Sequence, residues 1–214
     1  MEFISEELDN YICAHTSPES KLLYELNRET HLKVLQPRML SGHFQGRLLS
    51  MISKMVRPKR ILEIGTYTGY SALCLLEGLE ESGELITIDV NEELEDIIRK
   101  YLNKAGVEDQ VQFMIGDALE LIPTIDGNFD LVFIDADKSQ YLDYYELVIE
   151  RMNPGAYLLT DNVLWSGKVL DPTQKDDPDT RVIMELNDRI MSDERVETIL
   201  LPIRDGLMLT RKKD

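Results

Sequence analysis

Hydrophobic positions follow three different textures along the chain. Over residues 1–56 they recur at helical spacing: Leu22, Leu23 and Leu26 share one stripe with Thr30, and Phe44, Leu48, Leu49, Ile52, Met55 and Val56 form a second. Ser17-Pro18-Glu19 reads as an N-cap with proline in the first turn, and Arg57-Pro58 closes the second helix. From Arg60 the texture changes. Short apolar runs at 61–64, 85–88, 111–115, 131–134 and 157–159 alternate with helical stretches such as 92–105 and 140–152. A continuous apolar run is a strand buried on both faces, and alternation with helices is the pattern of a parallel sheet built from βα units. The end differs again. Runs at 196–203 and 207–211 are separated only by Arg204-Asp205-Gly206, too short for a crossover helix, so they must form an antiparallel hairpin. The expected fold is one α/β domain over residues 1–214, with N-terminal helices over 1–56 and a mostly parallel sheet over 57–214. One long polar connection, about 163–178, is rich in Asp, Gly and Pro; Gly167, Pro172 and Pro178 suit an irregular lid.

Composition narrows the partners. A length of 214 residues suits a single core, and 43% hydrophobic with 29% charged residues is an ordinary globular balance. The formal charge is −17, from 23 Lys plus Arg against 40 Asp plus Glu. Such a surface repels phosphate backbones and anionic lipid, so nucleic-acid or membrane binding would need a local basic patch. The densest basic runs, 57–60 and 211–213, are short, and no apolar stretch approaches a membrane span. Met1-Glu2-Phe3-Ile4-Ser5-Glu6-Glu7 has no signal-peptide pattern, and Cys13 and Cys74 fit no CxxC pattern. A reducing cytoplasm is the expected setting, with no disulfide framework. His15, His31 and His43 lack metal-ligand spacing and read as structural or surface groups; Tyr141, Tyr144 and Tyr145 share one helix and read as packing residues.

Two clusters carry candidate chemistry. Glu63-Ile64-Gly65-Thr66-Tyr67-Thr68-Gly69-Tyr70-Ser71 ends the first strand and opens a helix, where glycine lets backbone approach a ligand. It is not the dinucleotide fingerprint, because Tyr67 stands where the pyrophosphate needs glycine, and no phosphate-binding GxxxxGK[ST] loop occurs. Asp89 ends the second strand, where an acid can accept both ribose hydroxyls, and Asp117-Ala118 ends the third, beside where an adenine would lie. A ribose and an adenine without a pyrophosphate suggest an adenosine-type ligand such as S-adenosylmethionine (SAM), with Glu63 adding negative charge near its cationic end. The competing reading is a plain strand-to-helix turn with a capping acid.

The second cluster is Asp135, ending the fourth strand, with Asp161 and Asn162 ending the fifth. If those strands are neighbours, two carboxylates and an amide converge, a set that suits a hard cation such as magnesium. Helix capping by Asp135 or Asp137, with Asp161 as a turn residue, is the alternative. Lys138 follows Asp135 by three residues and is a candidate base; the alternative is a solvated lysine. Trp165 either walls a substrate pocket or packs the 163–178 loop onto the body.

Together these segments resemble the cation-dependent small-molecule O-methyltransferases, which include the catechol and caffeoyl-coenzyme A enzymes. The resemblance covers roughly residues 37–212 and rests on Met39-Leu40-Ser41, Gln45-Gly46, the 63–71 segment, Ile134-Asp135-Ala136-Asp137-Lys138, Asp161-Asn162-Val163-Leu164-Trp165-Ser166-Gly167 and Asp205-Gly206. It implies the Rossmann-like class I methyltransferase fold, a seven-stranded sheet with the last strand reversed. Carried over by position, Ser41, Glu63, Gly65, Thr66, Ser71, Asp89, Ala118 and Asp137 would contact SAM. Asp135, Asp161 and Asn162 would hold a divalent cation (Mg2+, Mn2+ or Ca2+), with Lys138 as base and Trp165 and Ser166 near the acceptor. Ser166 stands where the plant caffeoyl-coenzyme A enzymes have a substrate-contacting Asn. A phenolic, catechol-like acceptor and a homodimer are implied. The rival functions are a transfer-RNA hydroxyuridine methyltransferase of the same family, which the charge opposes, and a non-catalytic SAM-binding protein, which has no need of a base beside a metal.

Overall fold

Most of the apolar runs become strands because they have a core to enter on both sides; the run at 111–115, expected to be buried on both faces, instead lies at the sheet edge and has no buried residue. In the computed structural model, which describes residues 5–171, 173 and 176–214, β1 (Arg60–Ile64) sends Ile61 into one hydrophobic cluster and Leu62 and Ile64 into another. In β4 (Phe129–Ile134), Leu131 and Phe133 enter the first cluster and Val132 and Ile134 the second. The strand's period of two thus feeds two cores.

With β2 (Glu84–Asp89), β3 (Val111–Ile115), β5 (Met152–Asp161), β6 (Val196–Leu201) and β7 (Leu207–Lys212), the strands form one sheet in the order β3-β2-β1-β4-β5-β7-β6. The first five pair in parallel, and β7 runs antiparallel to both β5 and β6. One face is covered by α2 (Lys21–Lys33), α3 (Gly42–Val56), α4 (Tyr70–Leu76) and α5 (Glu95–Ala105). The other is covered by α6 (Ala118–Leu121), α7 (Tyr141–Glu150) and α8 (Pro178–Ser192). The N-terminal α1 (Glu6–Ala14) has no buried residue. Among the described residues no helix is long and apolar enough to cross a membrane. After β1 the chain turns to β2 on one side, while β4 lies on the other. That change of direction opens a crevice beyond the carboxyl ends of β1 and β4, where open α/β sheets bind ligands.

Several boundaries differ from expectation. Helix α2 starts at Lys21 with Ser20 as N-cap, its Oγ accepting the Leu23 N–H at 3.2 Å, rather than at Ser17-Pro18. Residues 17–19 instead serve tertiary contacts: His43 Nε2 lies 2.7 Å from the Ser17 carbonyl, and Tyr70 donates to Glu19 Oε2 at 2.6 Å. Strand β6 stops at Leu201, and Arg204 (φ 50°) and Gly206 (φ 89°) make the turn into β7. The 163–178 connection is not wholly irregular. Trp165–Leu170 holds two short turns separated by a kink at the left-handed Ser166 and Gly167, and Pro178 is the first residue of α8, capped by Asp177, so that proline starts a helix instead of breaking a lid. Pro172 and the opening residues 1–4 lie outside the described residues.

Candidate active site

Gly65 leaves β1 at the crevice with φ 98°, and a Cβ there would lie 1.9 Å from the Asp135 carbonyl oxygen. Only glycine lets the ends of β1 and β4 come this close. Backbone bonds hold the crossing: Gly65 N–H to the Ile88 carbonyl and Asp135 N–H to the Ile64 carbonyl, each 2.9 Å. Tyr67 (φ 50°) and Gly69 (φ 86°) then turn the chain into α4. Asp89 fixes this turn, its Oδ2 accepting the Tyr67 N–H at 2.7 Å while Oδ1 accepts the Asn91 N–H at 2.9 Å. Each oxygen keeps a lone pair for a ligand hydroxyl. Beneath the loop runs a buried hydroxyl chain. Thr87 donates to Glu63 Oε2 at 2.5 Å, so the 2.5 Å contact between Thr66 and Thr87 has Thr66 as donor. Burial lifts the Glu63 carboxyl to about 8, against the pull of the Ser71 and Thr87 hydroxyls.

A narrow cleft over this loop is lined by Met39, Ser41, Gly65, Thr66, Ser71 and Asp135, among others. Ser41, Gly65, Thr66 and Ser71 therefore come together as the sequence implied, with Glu63 buried below them. Asp89, Ala118 and Asp137 lie at the ends of β2, β3 and β4, outside the cleft's immediate lining. Asp137 is exposed and caps the next turn, accepting the Ser139 N–H at 3.0 Å, which is the capping alternative for that residue.

Strands β4 and β5 are neighbours, and Ile134 pairs with Thr160. Asp135 and Asp161 are each the next residue, so they stand side by side, about 4.8 Å apart in backbone. The period of two turns both toward the face covered by α3. Asp161 is 4% exposed, its Oδ1 accepting the Asn162 N–H at 2.8 Å and its Oδ2 accepting Gln45 Nε2 at 2.6 Å. Both donors are neutral, and burial together with the neighbouring Asp135 charge raises the Asp161 carboxyl well above the usual range. Asn162 sits in the left-handed region (φ 61°), and its side-chain amide makes no hydrogen bond among the described residues. Lys138 donates to Asp135 Oδ1 at 3.0 Å, the Ala136 carbonyl at 3.0 Å and the Tyr141 hydroxyl at 2.7 Å, three acceptors for the three ammonium hydrogens. Two adjacent carboxylates, one buried with only neutral partners, beside an unbonded amide are a fitting donor set for a hard divalent cation. Among the described residues no group of three or more His, Cys, Asp or Glu assembles; the set here is two carboxylates and an amide.

The loop after Asn162 is pinned by the β6–β7 turn. Val163 N–H reaches the Gly206 carbonyl (3.2 Å), Leu164 N–H the Asp205 carbonyl (2.9 Å), and Ser166 N–H the Asp205 side chain. A Cβ on Gly206 would meet Leu164 Cγ at 2.5 Å, which is why that turn carries glycine. Trp165 is half-buried beneath Lys168, whose Nζ lies 5.6 Å from the ring centroid, and Ser166 is exposed.

The family model described as O-methyltransferase matches residues 13–213. This chain belongs to the O-methyltransferase family. It is 32% identical over 221 residues to the caffeoyl-CoA O-methyltransferase of Stellaria longipes, covering 97% of this chain and 91% of that one. Among solved structures it is similar to the SAH-bound methyltransferase PaMTH1 of Podospora anserina, with 27% identity, TM-score 0.89, and 100% and 99% of the two chains covered. It is likewise similar to the O-methyltransferase TomG of Streptomyces achromogenes, solved in complex with SAM, with 27% identity, TM-score 0.87, and 99% and 100% covered.

Three residues of this O-methyltransferase's site carry more than their sequence positions suggested. Tyr141 packs as expected, fully buried, and its hydroxyl also accepts from Lys138. Gln45 sits in the apolar stripe of α3 and is 1% exposed, and Arg204 reaches it from the β6–β7 turn at 2.8 Å. A polar residue inside a helix's apolar stripe is the signal that could have singled out Gln45.

Proposed function

We propose that this O-methyltransferase transfers the methyl group of SAM to one hydroxyl of a vicinal dihydroxy aromatic, aided by a divalent cation such as magnesium or manganese. The observation that carries the reading is the convergence of Asp135, Asp161 and Lys138 next to the Gly65 cleft. The SAH- and SAM-bound neighbours support SAM as donor, and the plant relatives named caffeoyl-CoA O-methyltransferase support a phenolic acceptor. Asp89 receives the ribose hydroxyls and Ala118 faces the adenine. Ser41, Gly65, Thr66 and Ser71 wall the donor, and Asp137 stands at the rim; Glu63, which burial keeps protonated in the ligand-free protein, would become a negative charge only once the cationic end of a bound donor lies above it. Asp135, Asp161 and Asn162 hold the cation, which supplies acidification of the acceptor hydroxyls. Lys138 takes the proton of the attacking hydroxyl. Trp165 and Ser166 border the acceptor, and the rest of the rate comes from holding sulfur, methyl and oxygen in line. The family resemblance further supports a cytoplasmic homodimer; α1, without a buried residue in the single chain, is a surface such a dimer would cover.

Methyl transfer to a catechol should vanish under a chelator and return with magnesium. Lys138→Met should lower turnover by about 10² to 10⁴ with SAM affinity retained. Full turnover after exhaustive chelation would leave Asp135 and Asp161 as turn residues.

A further inference from the structure

Asp161 is held by a residue from the far end of the chain. Gln45 Nε2 donates to Asp161 Oδ2 at 2.6 Å, and Gln45 Oε1 accepts from Arg204 Nη1 at 2.8 Å. The amide is buried, so both of its ends need partners. Its orientation is also forced. A carboxylate can only accept and a guanidinium can only donate, so the amide oxygen must face Arg204 and the nitrogen must face Asp161. The helix that carries Gln45 is itself fixed by the next residue: a Cβ on Gly46 would lie 2.6 Å from Tyr70 Cε1, so α3 and α4 meet without slack.

We infer that Gln45, locked by Arg204, is the positioning residue that sets the Asp161 carboxylate for its cation. The inference rests on the cation reading given above. The choice of glutamine has a chemical logic. An arginine bonded directly to Asp161 would neutralise it and fill the place of the cation. The amide spacer gives Asp161 a directional donor, carries no charge, and keeps Arg204 one residue removed. One oxygen is fixed by this contact and the other by the Asn162 N–H, so the carboxylate plane is set and the remaining lone pairs stay open. Arg204 has a second grip: the same Nη1 donates to the Leu40 carbonyl at 3.1 Å and to the Ser41 carbonyl. Leu40 and Ser41 line the donor cleft, so a single guanidinium ties the donor wall to the buried ligand of the cation.

The two residues are therefore separable by experiment. Outer-shell partners of metal ligands typically contribute about 10- to 100-fold in metal affinity. Gln45→Met, close in size and lacking a donor, should weaken Mn2+ binding by about that factor in calorimetry and leave SAM affinity unchanged. Arg204→Met should weaken both, because it frees the amide and the Leu40-Ser41 wall together. Should Gln45→Met fail to fold, Gln45→Asn keeps an amide too short to span both partners and should show the same Mn2+ loss. Wild-type protein that binds Mn2+ while a folded Gln45 variant binds it equally well would overturn the inference alone. Wild-type protein that ignores Mn2+ would overturn the cation reading and the inference with it.

Discussion

On the proposed donor side of the crevice, backbone does most of the holding. Gly65 sits against the Asp135 carbonyl, Asp89 takes two backbone N–H groups, and a hydroxyl chain runs beneath to Glu63. On the proposed acceptor side the chain is held by distant segments, through the Asp205 and Gly206 carbonyls and the Asp205 and Gln45 side chains, and most of its left-handed positions carry a side chain. Asn162, Trp165, Ser166 and Arg204 all have φ between 47° and 61°. Such conformations persist only where surrounding contacts over-determine them, here the bonds from Asp205, Gly206 and Gln45. The contrast fits a division of labour. A donor common to many relatives suits a rigid backbone cradle, whereas an acceptor that varies suits a loop whose shape is set by replaceable contacts.

The harshest way to break the donor side is Gly65→Ala. The new methyl would collide with the Asp135 carbonyl and the residue would be held at φ 98°, so destabilisation of about 2–4 kcal/mol is expected in urea unfolding, with SAM affinity lost in whatever folds. A variant of wild-type stability would mean that β1 and β4 part easily, and the cradle would not be rigid.

A smaller effect sharpens the same comparison through pH. The folded protein holds Glu63 protonated up to about 8, against an ordinary value of 4.5. A raised carboxyl means the native state binds the proton more tightly than the unfolded chain. Stability from this group is therefore full below about 4.5, declines as pH rises, and levels off above about 8. Glu63→Gln cannot ionise. The melting temperature of the variant relative to wild type should rise between pH 5 and 8 in the ligand-free protein and then stay flat. A constant difference across that range would place Glu63 in contact with water or a cation.

How far the sequence could be read follows the same divide. The runs at 61–64 and 131–134 announced buried parallel strands, because a strand with two cores is apolar nearly throughout, with Glu63 the exception, and the three-residue link at 204–206 announced the reversed β7. Gly65, Asp135 and Asp161 were legible because strand ends are where such a sheet can present chemistry. Three things were not. The start of α2 was misplaced because Glu19 and the Ser17 carbonyl make tertiary contacts that no local pattern records. Gln45 and Arg204 lie 159 positions apart, and nothing in either neighbourhood shows that they touch. Pro178 looked like a loop breaker although proline in a first turn is also a helix starter, and only Asp177 capping α8 decides between them.

The mildest prediction concerns Trp165, where wall and packing roles remain to be separated. Trp165 and Ser166 are a pair of left-handed residues that begins three positions after Asn162, and the Trp165 N–H donates to the Asn162 carbonyl at 3.2 Å, so its backbone lies near Asp161. Its ring is covered by Lys168, and Lys168 reaches Asp177, the N-cap of α8, at 3.6 Å. Lys168 thus links the ring to the start of α8. None of these contacts involves the Gly65 loop or the donor cleft. Trp165→Ala should therefore leave SAM affinity unchanged and alter the ratio of kcat/KM between two catechols of different bulk, on the order of tenfold. An equal fall for every acceptor, together with a lower Tm, would assign Trp165 to loop packing alone. A change in SAM affinity would break the comparison itself, because it would show that the two sides of the crevice are coupled through this loop as well as through Arg204.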